Sequence, residues 1–190
     1  MMNTLCAAVV ALGLAAAPIL AAPQATKAEK ADKMTAGGKA PDETFMIKAA
    51  RGGMAEVELG KLAVDKAASD EVKKFGRRMV DDHSKAGDEL KTLAQNKHIT
   101  LPTTVGPQDQ ALHDRLAKLS GAEFDRAYMR EMTKDHDKDV KAFRHEAQSA
   151  QDPDLKQFAA KTLGVIEQHD KMAHDIGQSL TAVSSSRRPK

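Results

Sequence analysis

The sequence predicts an all-α domain: four long helices forming two antiparallel hairpins, with a long crossover between the second and third helices. Three observations carry this expectation. Ala, Leu, Met and charged residues dominate, β-branched residues are sparse, and aromatic residues make up only 3%, with one tyrosine and no tryptophan; that balance favours helix over strand. Apolar residues recur in steps of three and four through four long stretches, which is the period of one helix face. Tight turn signals separate the first stretch from the second and the third from the fourth, whereas Asn96 to Leu119 form a long connection between the two pairs.

The chain begins with a run of small and apolar residues from Leu5 to Ala22. Residues 1–25 read as an export signal, although no basic residue precedes the run. About 18 apolar residues are also just enough to span a bilayer, so an uncleaved anchor is the competing reading. No other apolar run of that length follows, and no membrane span is expected after cleavage. Cys6 is the sole cysteine and lies inside the run, so a mature chain has no thiol and no disulfide framework. Residues 26–41 are rich in Lys, Ala and Gly without an apolar period, and read as a flexible linker.

The first helix is expected after Pro41-Asp42, with Asp42 as its cap and a stripe through Phe45, Ala49, Gly52, Leu59 and Ala63. Glu56 falls on this stripe as a polar intruder. Gly52, Gly53 and Gly60 lower helix propensity, and the expected compensation is close approach of a neighbouring helix. The second helix has Ser69 as its cap and Asp70 and Glu71 in its first turn, where the helix dipole favours acids. Its stripe is Val72, Phe75, Met79, His83, Ala86, Leu90 and Leu93.

Within the crossover, residues 99–104 look extended, and 108–119 should hold a short helix. Ser120-Gly121-Ala122-Glu123 has the pattern of a capping box. The third long helix then carries Phe124, Tyr128, Met132, His136, Val140, Phe143 and Ala147 on one face. The fourth starts at Asp152-Pro153, a cap followed by proline in the first turn, and presents Leu155, Phe158, Thr162, Ile166, His169, Ala173 and Ile176. The domain is expected to span 42–180, with a disordered tail at 181–190. A crossover long enough to run the length of a bundle makes the second and third helices parallel, which is the ferritin-like topology among four-helix bundles.

Each long helix thus places one ionisable residue on its buried stripe: Glu56, His83, His136 and His169. Glu56 and His83 average 69.5, inside the turn at 67–70, and His136 and His169 average 152.5, inside the turn at 151–153. If the hairpins pack in register, all four meet near mid-bundle. Buried polar groups must satisfy one another, hold water or hold an ion. Three imidazoles and a carboxylate suit a single Zn, Fe, Mn, Ni or Cu ion; a hydrogen-bonded polar layer that fixes the register is the alternative. The segments around His83 and His136 share the pattern M-x-x-D-H-x-K, but Asp82 and Asp135 lie about 100° from their histidines on the helix and are expected to support ligands or face solvent. His98 and His113 fall in the connection, and His145 and His174 lie off the main stripes. The methionines have core spacing rather than that of a copper-binding cluster.

The run from Phe45 through Ala49-Ala50, Gly53-Met54-Ala55-Glu56-Val57-Glu58-Leu59-Gly60-Lys61-Leu62-Ala63, then Ser69, Val72-Lys73, Phe75 and Met79-Val80-Asp81-Asp82-His83, resembles the domain-of-unknown-function 4142 family. So do Leu119-Ser120-Gly121, Phe124-Asp125, Tyr128, Met132, His136 and His169. The resemblance covers roughly residues 41–178. It implies a ferritin-like four-helix fold and export to the periplasm or cell envelope of a bacterium, and it implies no established catalytic activity. The wider ferritin-like superfamily builds di-iron centres with Glu-x-x-His pairs. Here Val80, Thr133 and Ile166 stand three residues before His83, His136 and His169, which argues against such a centre.

The net charge of +2, with acids and bases interspersed, carries no strong field for nucleic acid. The functional expectation is therefore an exported envelope bundle binding one transition-metal ion at Glu56, His83, His136 and His169. The alternatives are a metal-dependent oxidoreductase using the same residues, and a structural bundle with a buried polar layer and no metal.

Overall fold

The computed structural model describes residues 41–186, and every regular element among them is helical: α1 (Pro41–Lys66), α2 (Asp70–Asn96), α3 (Pro107–Ala117), α4 (Gly121–Ser149) and α5 (Pro153–Ser186). The four long helices fall where the apolar periods place them, and α3 is the short helix expected in the crossover. The expected export signal and the linker up to residue 40 lie outside the described residues. α5 continues through Ser186, past the boundary expected at 180. Among the described residues no helix is long and apolar enough to cross a membrane.

Side-chain pairings fix the helix directions. Gly60 of α1 faces Gly76 of α2, and Glu56 faces His83, so α1 and α2 run antiparallel. His136 of α4 meets His169 of α5, and Arg144 meets Glu167, so these two also run antiparallel. The hairpins join where α2 lies antiparallel to α5, with Arg78 bonded to Gln168 and Lys161 to Glu89. It follows that α2 and α4 point the same way, as a long crossover requires. α3 lies against α1 and α4 and buries Leu116.

The turns are fixed by a reciprocal exchange between hairpins. Asp125, buried near the start of α4, accepts hydrogen bonds from Ala68 N (3.1 Å) and Ser69 N (2.9 Å) in the α1–α2 turn. Asp42, in the first turn of α1, accepts from Gln151 N (3.0 Å) and Asp152 N (2.9 Å) in the α4–α5 turn. Each carboxylate satisfies backbone donors that a helix start leaves without partners. Asp42 thus ties down the far turn rather than acting as the local cap expected of it, because α1 already begins at Pro41. The other expected caps divide. The Ser69 hydroxyl accepts from Val72 N and Asp152 accepts from Leu155 N. Ser120 precedes α4 but its side chain makes no capping bond; the chain turns there through Gly121 at φ +60°, a conformation glycine adopts readily.

The apolar core has two clusters. One, near the α1–α2 turn, gathers Leu59, Ala63, Val72, Phe75, Met79, Leu116, Phe124, Tyr128 and Met132 among others. The second, toward the α4–α5 turn, gathers Met46, Leu90, Phe143, Leu155, Phe158 and Ile166. The methionines Met46, Met79, Met129 and Met132 are fully buried in these clusters, consistent with packing. Of the three glycines expected to admit a neighbouring helix, only Gly60 does so: a Cβ there would stand 2.7 Å from the Gly76 carbonyl oxygen. At Gly52 and Gly53 a Cβ would meet nothing within 4 Å. These two line a cavity instead.

Candidate metal centre

The four polar intruders occupy the level between the two apolar clusters, one from each long helix. Glu56, His136 and His169 are at most 1% exposed and His83 is 8% exposed. The three imidazole centroids lie 5.2–6.0 Å apart. One ring nitrogen from each histidine lies within 4.8 Å of the others. The antiparallel turns set this level: residues equally far from a hairpin turn must lie side by side.

Each ring has one nitrogen engaged and the other free. His83 Nδ1 is 2.9 Å from Glu56 Oε2. His136 Nδ1 is 2.9 Å from the Met132 carbonyl oxygen, and a carbonyl only accepts, so Nδ1 carries the proton. His169 Nε2 is 2.8 Å from Asp82 Oδ2. The remaining nitrogens, His83 Nε2, His136 Nε2 and His169 Nδ1, are buried and have no hydrogen-bond partner. Glu56 Oε1 is likewise buried and unpartnered, 3.5 Å from His136 Nε2. With His136 protonated at Nδ1, these two atoms are acceptors facing one another, an arrangement that calls for a proton or a cation. Tyr128, eight residues before His136 on α4, also buries its hydroxyl without a partner.

Electrostatics divides the histidines. Burial alone would raise the Glu56 carboxyl, but the nearby His83 and His136 outweigh it and hold Glu56 down at about 2. Burial alone would lower His83, and the Glu56 carboxylate overcomes this and raises it. His169 is pushed down to about 4 by burial, against the opposing hydrogen bond to Asp82, so it is neutral near pH 7. Burial would also raise Asp82, yet its bonds to His169 and to Arg78 Nε (3.1 Å) keep its carboxyl below the usual range.

Asp139 is the residue that sequence reasoning missed. It lies one turn beyond His136 on α4. A carboxylate oxygen from each of Glu56, Asp135 and Asp139 lies within 4.8 Å of the others. Burial and then the Glu56 carboxylate push Asp139 up to about 8, and the same two causes raise Asp135. The visible signal was the i, i+4 spacing of Asp135 and Asp139, which places two acids on one helix face. His174 sits in a partly exposed cluster with Asp137 and Asp170, at the same level but off the buried stripe. His113 lies on α3 beside Asp114, 3.4 Å away.

A cavity of about 750 Å³ reaches this level. Glu56, His83 and Asp139 form part of its lining, together with Gly52, Gly53, Gly87 and apolar residues including Phe45, Leu90 and Phe158; Leu101 and Val105 of the crossover also line it. A small ion or molecule therefore has a route to the buried carboxylate.

The fold has solved relatives. A DUF305 protein from Streptomyces coelicolor, described as a candidate secreted protein, superposes with a TM-score of 0.63 at 14% identity, covering 74% of this chain and 93% of that one. CopM in its Cu(II)-bound form gives 0.62 at 19% identity, covering 73% and 96%. A DUF305 fragment from Deinococcus radiodurans gives 0.63 at 12% identity, covering 73% and 97%. At these identities the likeness is one of fold. No curated protein matches the chain. The family described as "Domain of unknown function (DUF4142)" matches residues 23–176, so the chain belongs to the DUF4142 family.

Proposed function

We propose that this is an exported metal-binding protein: a ferritin-like four-helix bundle holding one divalent transition-metal ion, Cu(II) or Zn(II), at His83, His136 and His169. The observation that carries this reading is the set of three buried, unpartnered ring nitrogens whose opposite nitrogens each meet an oxygen acceptor. Histidines that bind metals almost always donate their other N–H in this way, which fixes tautomer and ring direction. Imidazole donors suit Zn and Cu, and for such a site Cu(II) has the highest affinity among first-row divalent ions. Glu56 orients His83 through Oε2 and has Oε1 free as the fourth donor, completing the set named from the sequence. Asp82 orients His169 and is itself steadied by Arg78. CopM, a fold relative characterised in a Cu(II)-bound form, supports copper as the first ion to test. The apolar N-terminal run and the description of the Streptomyces relative support an envelope location.

One observation favours a metal-dependent oxidoreductase as the second reading: the cavity gives a small molecule access to Glu56 and His83. The binding reading is preferred because it needs only the donor set itself.

Metal-free protein titrated with Cu(II) or Zn(II), with bound metal counted per chain, should take up one tightly held ion. A His169→Ala variant should lose it while keeping its helical content. A folded wild-type chain that takes up neither ion contradicts both metal readings and leaves the hydrogen-bonded polar layer. Peroxide or dioxygen consumption by the loaded protein favours the oxidoreductase.

A further inference from the structure

The three-carboxylate cluster beside the histidines has no role in the three-histidine site, apart from the Glu56 it shares. We propose that Glu56, Asp135 and Asp139 form a second cation subsite, selective for a hard divalent ion such as Mn²⁺, so that Glu56 bridges two adjacent ions.

Asp135 and Asp139 stand four residues apart on α4, and like charges at that spacing destabilise a helix. Both approach Glu56 of α1, so three carboxylates converge with their oxygens within 4.8 Å. The available positive charge is sparse. Glu56 has His83 on Oε2 and His136 Nε2 3.5 Å from Oε1, Asp135 has only the exposed Lys138 at 3.7 Å, and among the described residues no ion pair reaches Asp139. Independently of the cluster's acidity, Glu56 Oε1 is an unpartnered acceptor on a side chain that is 1% exposed. Hard divalent cations take oxygen ligands at about 2.0–2.6 Å, so an ion bound here draws the three oxygens to within about 4.5 Å of one another. The donors are all oxygen, whereas the neighbouring site offers imidazole nitrogen, and ligand type separates hard ions from borderline ones. The cavity that includes Asp139 and Glu56 in its lining supplies the route and room for water ligands.

This proposal extends the three-histidine reading, and the test separates the two. Protein loaded with one equivalent of Zn²⁺ is titrated with Mn²⁺ at pH 8, with free Mn²⁺ followed by its paramagnetic resonance signal and both metals counted afterwards. One Mn²⁺ per chain is expected in addition to the Zn²⁺. Asp139→Asn should weaken Mn²⁺ binding at least tenfold and leave the Zn²⁺ in place. Asp137→Asn, in the partly exposed cluster, should leave the Mn²⁺ count unchanged, and thermal melts of both variants check that they fold. The proposal is overturned if the wild type binds no Mn²⁺ in this titration, or if Asp139→Asn binds it as tightly as the wild type. If Zn²⁺ does not load, the three-histidine reading fails by itself. The same Mn²⁺ titration of metal-free protein, with and without Asp139→Asn, then decides the acidic subsite.

Discussion

The two halves of the bundle are built differently, and α1 shows the difference within one helix. Toward the α1–α2 turn, Gly60 and Gly76 bring two backbones together, and a Cβ at either would stand within 3 Å of the opposing helix. Toward the other end, a Cβ at Gly52 or Gly53 would meet nothing within 4 Å, and both border a cavity of about 750 Å³. The polar layer lies between these regions. The closed half clamps the hairpin and sets its level; the open half gives that level access to solvent. Rigidity on one side and access on the other are what a buried binding site needs.

The largest expected effect of breaking this arrangement is on metal affinity. His136→Ala removes a donor whose partner nitrogen is locked to Met132, and should weaken Cu(II) or Zn(II) binding on the order of 100-fold or more in a competition titration. Asp82→Asn leaves all three rings in place and loosens only the orientation of His169; a loss of about tenfold is expected, at the low end for partners behind metal ligands.

Next come substitutions that separate the two halves directly. Gly76→Ala forces a methyl against the Gly60 carbonyl oxygen and the Ala63 Cβ, both 2.8 Å away, and should destabilise the fold by about 1–3 kcal/mol, as overpacking does. Gly53→Ala meets open space and should stabilise it by up to about 1 kcal/mol through helix propensity. Urea unfolding of both variants checks the pair. Equal destabilisation by the two would show that the open half is not open.

The dependence on pH has a defined sign. The Glu56 carboxyl is held at about 2 in the folded chain against its ordinary 4.5, so its contribution to stability is complete above 4.5 and is lost as pH falls from there toward 2. His169 is held at about 4 against 6.5. The unfolded chain therefore takes up that proton first, and stability also falls between pH 6.5 and 4. His83 acts the other way: its pKa is raised, so its contribution is complete below 6.5 and is lost as pH rises through the folded value. Asp139, held at about 8 against its ordinary 3.8, gains stability on acidification and offsets the His169 loss between pH 6.5 and 4. Urea midpoints of metal-free protein should therefore fall steeply on acidification only below about pH 4, and Glu56→Gln should flatten that fall. Metal binding must displace the proton that the Glu56 carboxylate helps His83 to hold, so affinity should rise with pH near neutrality.

Much of this was legible in the sequence because helix period and turn position are local signals. The stripes through Met79 and His83, and through Met132 and His136, need only a step of three or four. The level of the four intruders needs only the turn centres. What was not legible depends on the angle between hairpins. Asp82 is one residue off its stripe, which turns it toward α5 and His169, and no count along α2 reveals that neighbour. Asp139 is meaningful only because Glu56 of α1 approaches that flank of α4. Gly52, Gly53 and Gly60 look alike in the sequence, yet only Gly60 lies where the helices converge. Asp42 and Asp125 are each spent on the other hairpin's turn, a non-local bond that capping patterns do not encode.

The central claim is that the three histidines, and not a surface cluster, hold the ion. X-ray absorption spectroscopy of the chain loaded with one equivalent of Cu(II) tests it most directly. The expected spectrum shows three imidazole ligands with nitrogen at about 2.0 Å, the usual distance for such donors, and it changes on His136→Ala. A site with one imidazole or none, unaltered in His136→Ala and abolished by His174→Ala, would contradict the claim and move the ion to the partly exposed cluster of Asp137, Asp170 and His174.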